Sequence, residues 1–158
     1  MPEVDAQLRV AERSDVETLL GFMRELQREG GPSFDGRPFD ERIVRESVEG
    51  LLGDERFGQI WLIEAAGATV GYVVLTYGYS LEFHGRDALL DELFVAEHAR
   101  GQGIGTAVLD LVAEECRRLG IRAVHLEVDR ANVQAQRLYR RHGYIDHDRY
   151  LLTRRLDV

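Results

Sequence analysis

Between an apolar run and a helical pattern the chain reads "HARGQGIG", His98 to Gly105, with glycine at 101, 103 and 105. Glycine weakens strands and helices alike, so three at alternate positions mark a tight turn or a close approach to the backbone. The preceding "ALLDELFV" (Ala88–Val95) reads as a strand. After it, Val108, Leu111, Val112, Cys116 and Leu119 share one stripe of a helix from Gly105 to Leu119, which Gly120 stops. A helix N-terminus carries unpaired N–H groups and the positive end of the helix dipole, and glycines let an anion reach them. The stretch therefore predicts a phosphate-binding turn, against the plainer reading of a tight turn alone. A dinucleotide fold needs G-x-G-x-x-G, and the last glycine would fall on Thr106 or Val108. A P-loop needs a lysine, and the chain has none: all 20 basic residues are arginine. What remains is Arg-x-x-Gly-x-Gly, as Arg100, Gly103 and Gly105.

The rest of the chain alternates strand and helix signals. "LRVAE" (Leu8–Glu12) reads as a first strand. Ser14 and Glu17 form a capping box, and Val16, Leu19, Leu20 and Met23 follow at helical spacing up to Gly30–Gly31. "GGPSFDGRP" is a loop, the one segment expected to be a flexible insert. Asp40 opens a second helix that Gly53 closes. "IWLIEA" and "TVGYVVLTYGYSL" make a hairpin across Ala66–Gly67. "RAVHLEV" is a strand, Asn132 to His142 a helix, and "YIDHDRYLLTRRL" is expected to supply a closing pair of strands. The order β-α-α-β-β-β-α-β-α-β-β predicts an α/β fold with a mixed sheet and one domain over residues 1–158.

Composition narrows the function classes. No apolar run approaches the ~20 residues of a spanning helix, and the N-terminus lacks the pattern of a signal peptide. The single cysteine, Cys116, fits a reducing compartment and a core position, so a cytoplasmic protein is expected. The absence of lysine removes any Schiff-base nucleophile. Residues 1–99 hold 20 acids against 9 arginines, and residues 130–158 carry 7 arginines against 3 acids. An acidic body argues against nucleic-acid binding. The five histidines lack metal-ligand spacing, so no metal is expected. Tyr77, Tyr79, Phe83 and His84 wall a pocket or simply pack, and Arg137, Arg140 and Arg141 meet an anion or solvate a helix face.

With "ELFVAEHARGQGIGTAVL" and "NVQAQRLYRRHGYI" in place, the chain resembles the GNAT superfamily of N-acetyltransferases from about Leu8 to its C-terminus. The first stretch matches the acetyl-CoA signature. The second matches an Asn followed seven residues later by Tyr and then by a Gly-aromatic pair, as Asn132, Tyr139, Gly143 and Tyr144. The resemblance implies a splayed central sheet flanked by helices, acetyl-CoA as co-substrate, and a homodimer. It implies that the pyrophosphate lies on the amides of Gly101, Gln102, Gly103, Ile104, Gly105 and Thr106, beside Arg100. The pantetheine arm would pair with Leu93, Phe94 and Val95, with Asn132, Ala135 and Tyr139 completing the cofactor site.

The implied reaction is acetyl transfer to a primary amine of a small, cationic or peptide acceptor by direct attack on the thioester. An alkyl ammonium has a pKa of about 10.4, so a base must help. Asp91 and Glu92 sit in an otherwise apolar strand, where an unpaired charge is costly. Strict alternation puts them on opposite faces unless a bulge intervenes. By resemblance to polyamine-type members, Asp91 aligns with the base and Glu92 with a contact to a cationic acceptor. Tyr139 is the expected acid for the leaving thiolate, against a role in packing. The competing expectation is a non-catalytic acyl-CoA-binding sensor, which needs the glycine loop but not the proton-transfer groups.

Overall fold

Ala66 and Gly67 both adopt positive φ, 50° and 77°, the geometry that joins two right-twisted strands by a two-residue turn. They link β2 (Gly58–Ala65) to β3 (Ala68–Ser80) at the centre of a five-stranded sheet. The computed structural model describes residues 4–30 and 35–157, so part of the loop read at "GGPSFDGRP" lies outside the described residues. β1 (Ala6–Val10), β4 (Gly85–Val95) and β5 (Ala123–Leu126) complete the sheet in the order β1-β2-β3-β4-β5. The first three ladders are antiparallel, and β4 pairs with β5 in parallel. The chain forms two compact units, Met1–Glu127, which holds the whole sheet, and Val128–Val158.

α1 (Val16–Arg28) and α2 (Glu41–Gly53) cover one face of the sheet. Leu19 and Leu20 from α1 and Val48 from α2 are buried against Ile60, Leu62, Tyr72, Val74 and Phe94. Asp40 caps α2 as expected, accepting from the N–H groups of Arg42 (3.0 Å) and Ile43 (3.3 Å). The start of α1 differs from the expected Ser14–Glu17 box. A 3-10 turn, Arg13–Asp15, precedes the helix, and Asp15 accepts from the Glu12 N–H at 2.8 Å. Arg9 in β1 grips the same carboxylate with two bonds, 2.9 and 3.0 Å, and lowers its pKa. A charge-assisted pair of this kind outcompetes a serine cap.

α3 (Ile104–Arg118) buries Val108, Leu109, Val112 and Cys116. Cys116 is the core thiol expected, and burial pushes its pKa up to about 11, which keeps it protonated and unreactive. The helix ends on Gly120 at φ 72°, with the Ile121 N–H reaching back to Cys116 O at 2.9 Å.

In the second unit, α4 (Val133–Arg141) is the one regular element among the described residues. The expected closing strands are absent there. The Asp146 side chain accepts from the Asp148 N–H at 2.8 Å and Asp148 takes φ 53°, a local turn that breaks the extended run. Ile145, Tyr150, Leu151, Leu152 and Leu156 are left exposed.

Candidate active site

β4 is not a regular strand. Val74 of β3 pairs with Glu92, and the next residue, Leu75, pairs with Leu90, so Asp91 is an extra residue in the ladder. Val74 belongs to the core under α1 and α2, and Leu75, by alternation, faces away from it. Leu90 therefore faces α3, whereas Glu92 and Phe94 face the α1–α2 side. The bulge at Asp91 makes that switch, and it overturns the strict alternation that would separate the two acids. Asp91 and Glu92 sit close enough that the Asp91 charge pushes the Glu92 pKa up.

Burial raises Glu92 first, the Asp91 charge adds to it, and one hydrogen bond opposes both: the Tyr72 hydroxyl donates to Glu92 Oε2 at 2.8 Å. Tyr72 has no exposed surface. Its own pKa lies far above the ordinary tyrosine value, chiefly from burial and then from the Glu92 charge, so it stays a donor. Asp91 is exposed by area, yet partial desolvation raises its pKa as well. Two carboxylates biased toward holding a proton, on adjacent residues, are a pattern of proton-transfer sites.

Past the bulge, β4 loses a neighbour. The β4–β5 ladder stops at Leu90 and Leu126, while β4 runs on to Val95. The Ala96 N–H bonds Val70 O at 2.8 Å on the β3 side. By antiparallel alternation Phe94 also spends its N–H on β3, and the N–H groups of Leu93 and Val95 point to the side where β5 has ended. The β4 edge at Leu93 and Val95 is thus open to an extended partner. The Phe94 amide is committed to the ladder, and its ring packs between Phe22 (5.8 Å) and Tyr72 (6.0 Å).

The chain then enters the glycine turn. Gly101 (φ 73°) and Gly103 (φ 79°) take left-handed conformations, and a Cβ on Gly103 would also stand 3.1 Å from Val4 Cγ2. α3 begins at Ile104 with no acidic residue in its first turn and no side-chain cap. Its first intrahelical bond comes from the Ala107 N–H to Gly103 O, 3.1 Å, so the amides of Ile104, Gly105 and Thr106 precede it. Gln102 bonds its side chain to His98 O at 3.2 Å and leaves the backbone to line the turn. These features fit a bound phosphate: positive φ, open amides and no competing carboxylate.

Arg100 behaves differently from the expectation that it flanks the phosphate. Its Nε donates to Val95 O at 2.7 Å, its Nη2 holds both Glu29 oxygens at 3.0 and 2.8 Å, and it lies over the Phe94 ring at 5.4 Å. Here the guanidinium fastens the start of the turn to β4 and to the end of α1. Nothing in the sequence marks Glu29, 71 residues away, as its partner. A second pair missed from sequence is Asp87 with His125, 3.2 Å apart on β4 and β5, with Phe83 against the imidazole at 5.1 Å.

In the second unit, Asn132 caps α4 by accepting from the Ala135 N–H at 3.1 Å. The Ala135 amide is therefore committed within the unit, and the side-chain amide of Asn132 keeps its donors for another partner. Tyr139 follows two turns later on the same face. Gly143 (φ 86°) ends the helix with its N–H on Arg140 O (3.1 Å) and the Tyr144 N–H on Tyr139 O (3.1 Å). That closure brings Tyr144 edge-on to Tyr139, ring centroids 5.8 Å apart. The Asn-Tyr-Gly-Tyr spacing is thus a device that fixes the Tyr139 ring, and burial raises its pKa, keeping it a proton donor.

The sequence model described as the acetyltransferase (GNAT) family matches residues 20–144. A mouse thialysine N-epsilon-acetyltransferase is 30% identical over 143 residues, covering 85% of this chain and 81% of that protein. An integron cassette protein from a salt-marsh metagenome superposes with a TM-score of 0.81 at 34% identity, covering 96% of this chain and 91% of that one. A predicted acetyltransferase from Clostridium acetobutylicum, solved with acetyl-CoA, superposes with a TM-score of 0.72 at 19% identity over 94% of this chain and 96% of that one.

Proposed function

We propose a function from the premise that the chain belongs to the acetyltransferase (GNAT) family and is an N-acetyltransferase: it moves the acetyl group of acetyl-CoA to the primary amine of a small cationic acceptor by direct attack on the thioester. The observation that carries the reading is the bulged β4, which sets two adjacent carboxylates directly before an open strand edge and an uncapped glycine turn.

Acetyl-CoA supplies the activated carbonyl, whose C–S bond breaks as the C–N bond forms. The amides from Gly101 to Thr106 hold its pyrophosphate at the positive end of α3. The N–H groups of Leu93 and Val95 hold the extended arm as an added strand would, and a donor on this edge aimed at the carbonyl oxygen stabilises developing negative charge. Glu92 takes the proton from the acceptor ammonium. Its raised pKa brings it closer to the amine it must deprotonate, and its bond to Tyr72 fixes it in place. Asp91, exposed on the bulge, holds the cationic acceptor. This exchanges the roles implied by resemblance, because the half-buried, oriented carboxyl suits proton transfer and the exposed one suits binding. The Tyr139 hydroxyl gives its proton to the departing thiolate.

The acidic body of the chain, 20 acids against 9 arginines over residues 1–99, favours a cationic acceptor electrostatically. The mouse relative's name specifies thialysine, an amine of this class. We further propose a cytoplasmic homodimer. Acetyl-CoA turnover read as free thiol tests the acceptor class, with polyamines, aminoglycosides, amino acids and short peptides as amines. Preference for cationic amines, lost in Asp91→Asn, supports the reading. Equal use of neutral amines refutes the cationic assignment, and acetyl-CoA binding without turnover on any amine points to the sensor instead.

A further inference from the structure

The buried hydroxyl of Tyr72 has no packing purpose. Its ring sits in a closed aromatic group, 6.3 Å from Phe22 and 6.0 Å from Phe94, and Phe94 is its direct partner across the β3–β4 ladder. A phenylalanine ring would fill the same space without burying an oxygen, and a polar atom in such a core is costly unless it is paired. Its partner is Glu92, itself a carboxylate that burial penalises. A buried hydroxyl and a half-buried carboxylate meet against an apolar core where apolar side chains would be cheaper, and conflicts of that kind concentrate where function requires them.

The contact also depends on the bulge. Glu92 stands opposite Val74, and Tyr72 is the next residue along β3 on the same face, so the bond runs diagonally between strands. Were Asp91 paired with Val74 as an ordinary ladder residue, Glu92 would share the Leu90 face toward α3 and never meet Tyr72. The other groups near the carboxylate do not replace this bond: β4 adds only the like charge of Asp91, and α1 faces the cluster with Phe22, Met23 and Leu26.

We propose that Tyr72 is a positioning residue for acetyl transfer: its hydroxyl, immobilised by the Phe22 and Phe94 rings, binds Glu92 Oε2, fixes the carboxylate's orientation and leaves Oε1 for the acceptor amine. The inference rests on the reading that Glu92 accepts the acceptor's proton. The hydrogen bond favours the ionised carboxylate and opposes burial, so its loss raises the Glu92 pKa further.

The test compares wild type, Tyr72→Phe, Glu92→Gln and the double variant, each checked for folding by circular dichroism. Titration of the Glu92 carboxyl carbon by NMR needs no substrate. It is expected to show a higher pKa in Tyr72→Phe, and an unchanged pKa overturns the proposal. In turnover, the acid limb of the kcat profile is expected to move to higher pH in Tyr72→Phe. On that limb kcat falls about 10- to 100-fold with KM for the amine nearly unchanged, the scale of a misplaced reacting group. The same tyrosine change has no further effect in Glu92→Gln. A shifted carboxyl pKa with an unmoved limb also overturns the proposal, because the bond then orients nothing the reaction uses. Full activity in Glu92→Gln is a separate result: it removes the role of Glu92 as base, and with it the ground on which Tyr72 was assigned.

Discussion

Gly71→Ala is expected to be among the most damaging single-methyl changes in this chain. Gly71 lies opposite Val95, where β3 meets the end of β4 beyond the bulge. A Cβ there would stand 2.0 Å from the Phe94 carbonyl oxygen, 3.0 Å from its carbon and 3.1 Å from Val95 Cα. These are backbone atoms, so no side chain can swing aside. Non-bonded heavy atoms settle about 3.5 Å apart, so the two backbones must separate by roughly 1.5 Å along that contact. That strains the ladder on both sides, at Tyr72–Phe94 and at the Ala96 N–H on Val70 O. Two weakened hydrogen bonds cost about 1 kcal/mol each. Overpacking adds about 1–3 kcal/mol. The unfolded-state benefit of alanine returns about 0.4–1 kcal/mol and does not reverse the sign. The net loss is therefore about 2–4 kcal/mol, or about 4–16 °C in Tm at this chain length. Gly67→Ala is the control. Gly67 has φ 77° but open space around a Cβ, so only left-handed strain applies, about 1–2 kcal/mol. Thermal unfolding by circular dichroism measures both. A Gly71→Ala loss no larger than that of Gly67→Ala would refute the close approach of the two strands.

Asp40→Ala removes the cap of α2 and is expected to cost about 1 kcal/mol, read by urea denaturation as a lower midpoint with unchanged slope. Gly103→Ala must place a side chain at φ 79° against Val4, and is expected to raise the KM for acetyl-CoA about tenfold or more while the fold survives. Because the native pKa of Glu92 is raised, the folded state holds that proton more tightly, and stability is lost as pH rises from the ordinary glutamate value through the native one. Glu92→Gln should therefore raise Tm relative to wild type above that window and not below it, while lowering kcat about 100-fold.

Much of the fold was legible because local chemistry decided it. Asp40 as a cap, Ala66–Gly67 as a turn and Gly120 and Gly143 as helix stops are positions where few residues fit, and each is used so. The glycine turn before α3 was legible for the same reason. Non-local partners were not. Arg9 takes Asp15 and moves the start of α1, and Arg100 takes Glu29 instead of standing free beside the turn. The acids of β4 were visible, but their shared setting was not, because a bulge is a property of the β3–β4 register and not of "LLDELFV" alone. Tyr72 stayed hidden behind the same bulge. The closing strands failed in the opposite way: "YIDHDRYLLTRRL" has strand-like composition, but Asp146 and Asp148 turn the chain locally before any ladder forms.

The most direct test is acetyl-CoA turnover on a cationic amine by the wild type and Tyr139→Phe at saturating acetyl-CoA. If the amides of the glycine turn grip the co-substrate and the Tyr139 hydroxyl protonates the thiolate, wild type releases thiol steadily. The variant keeps its affinity for acetyl-CoA and loses about 100-fold in kcat. Equal kcat in the two proteins contradicts the proton-donor assignment. No thiol release from wild type with any amine, while acetyl-CoA still binds, contradicts the account as a whole.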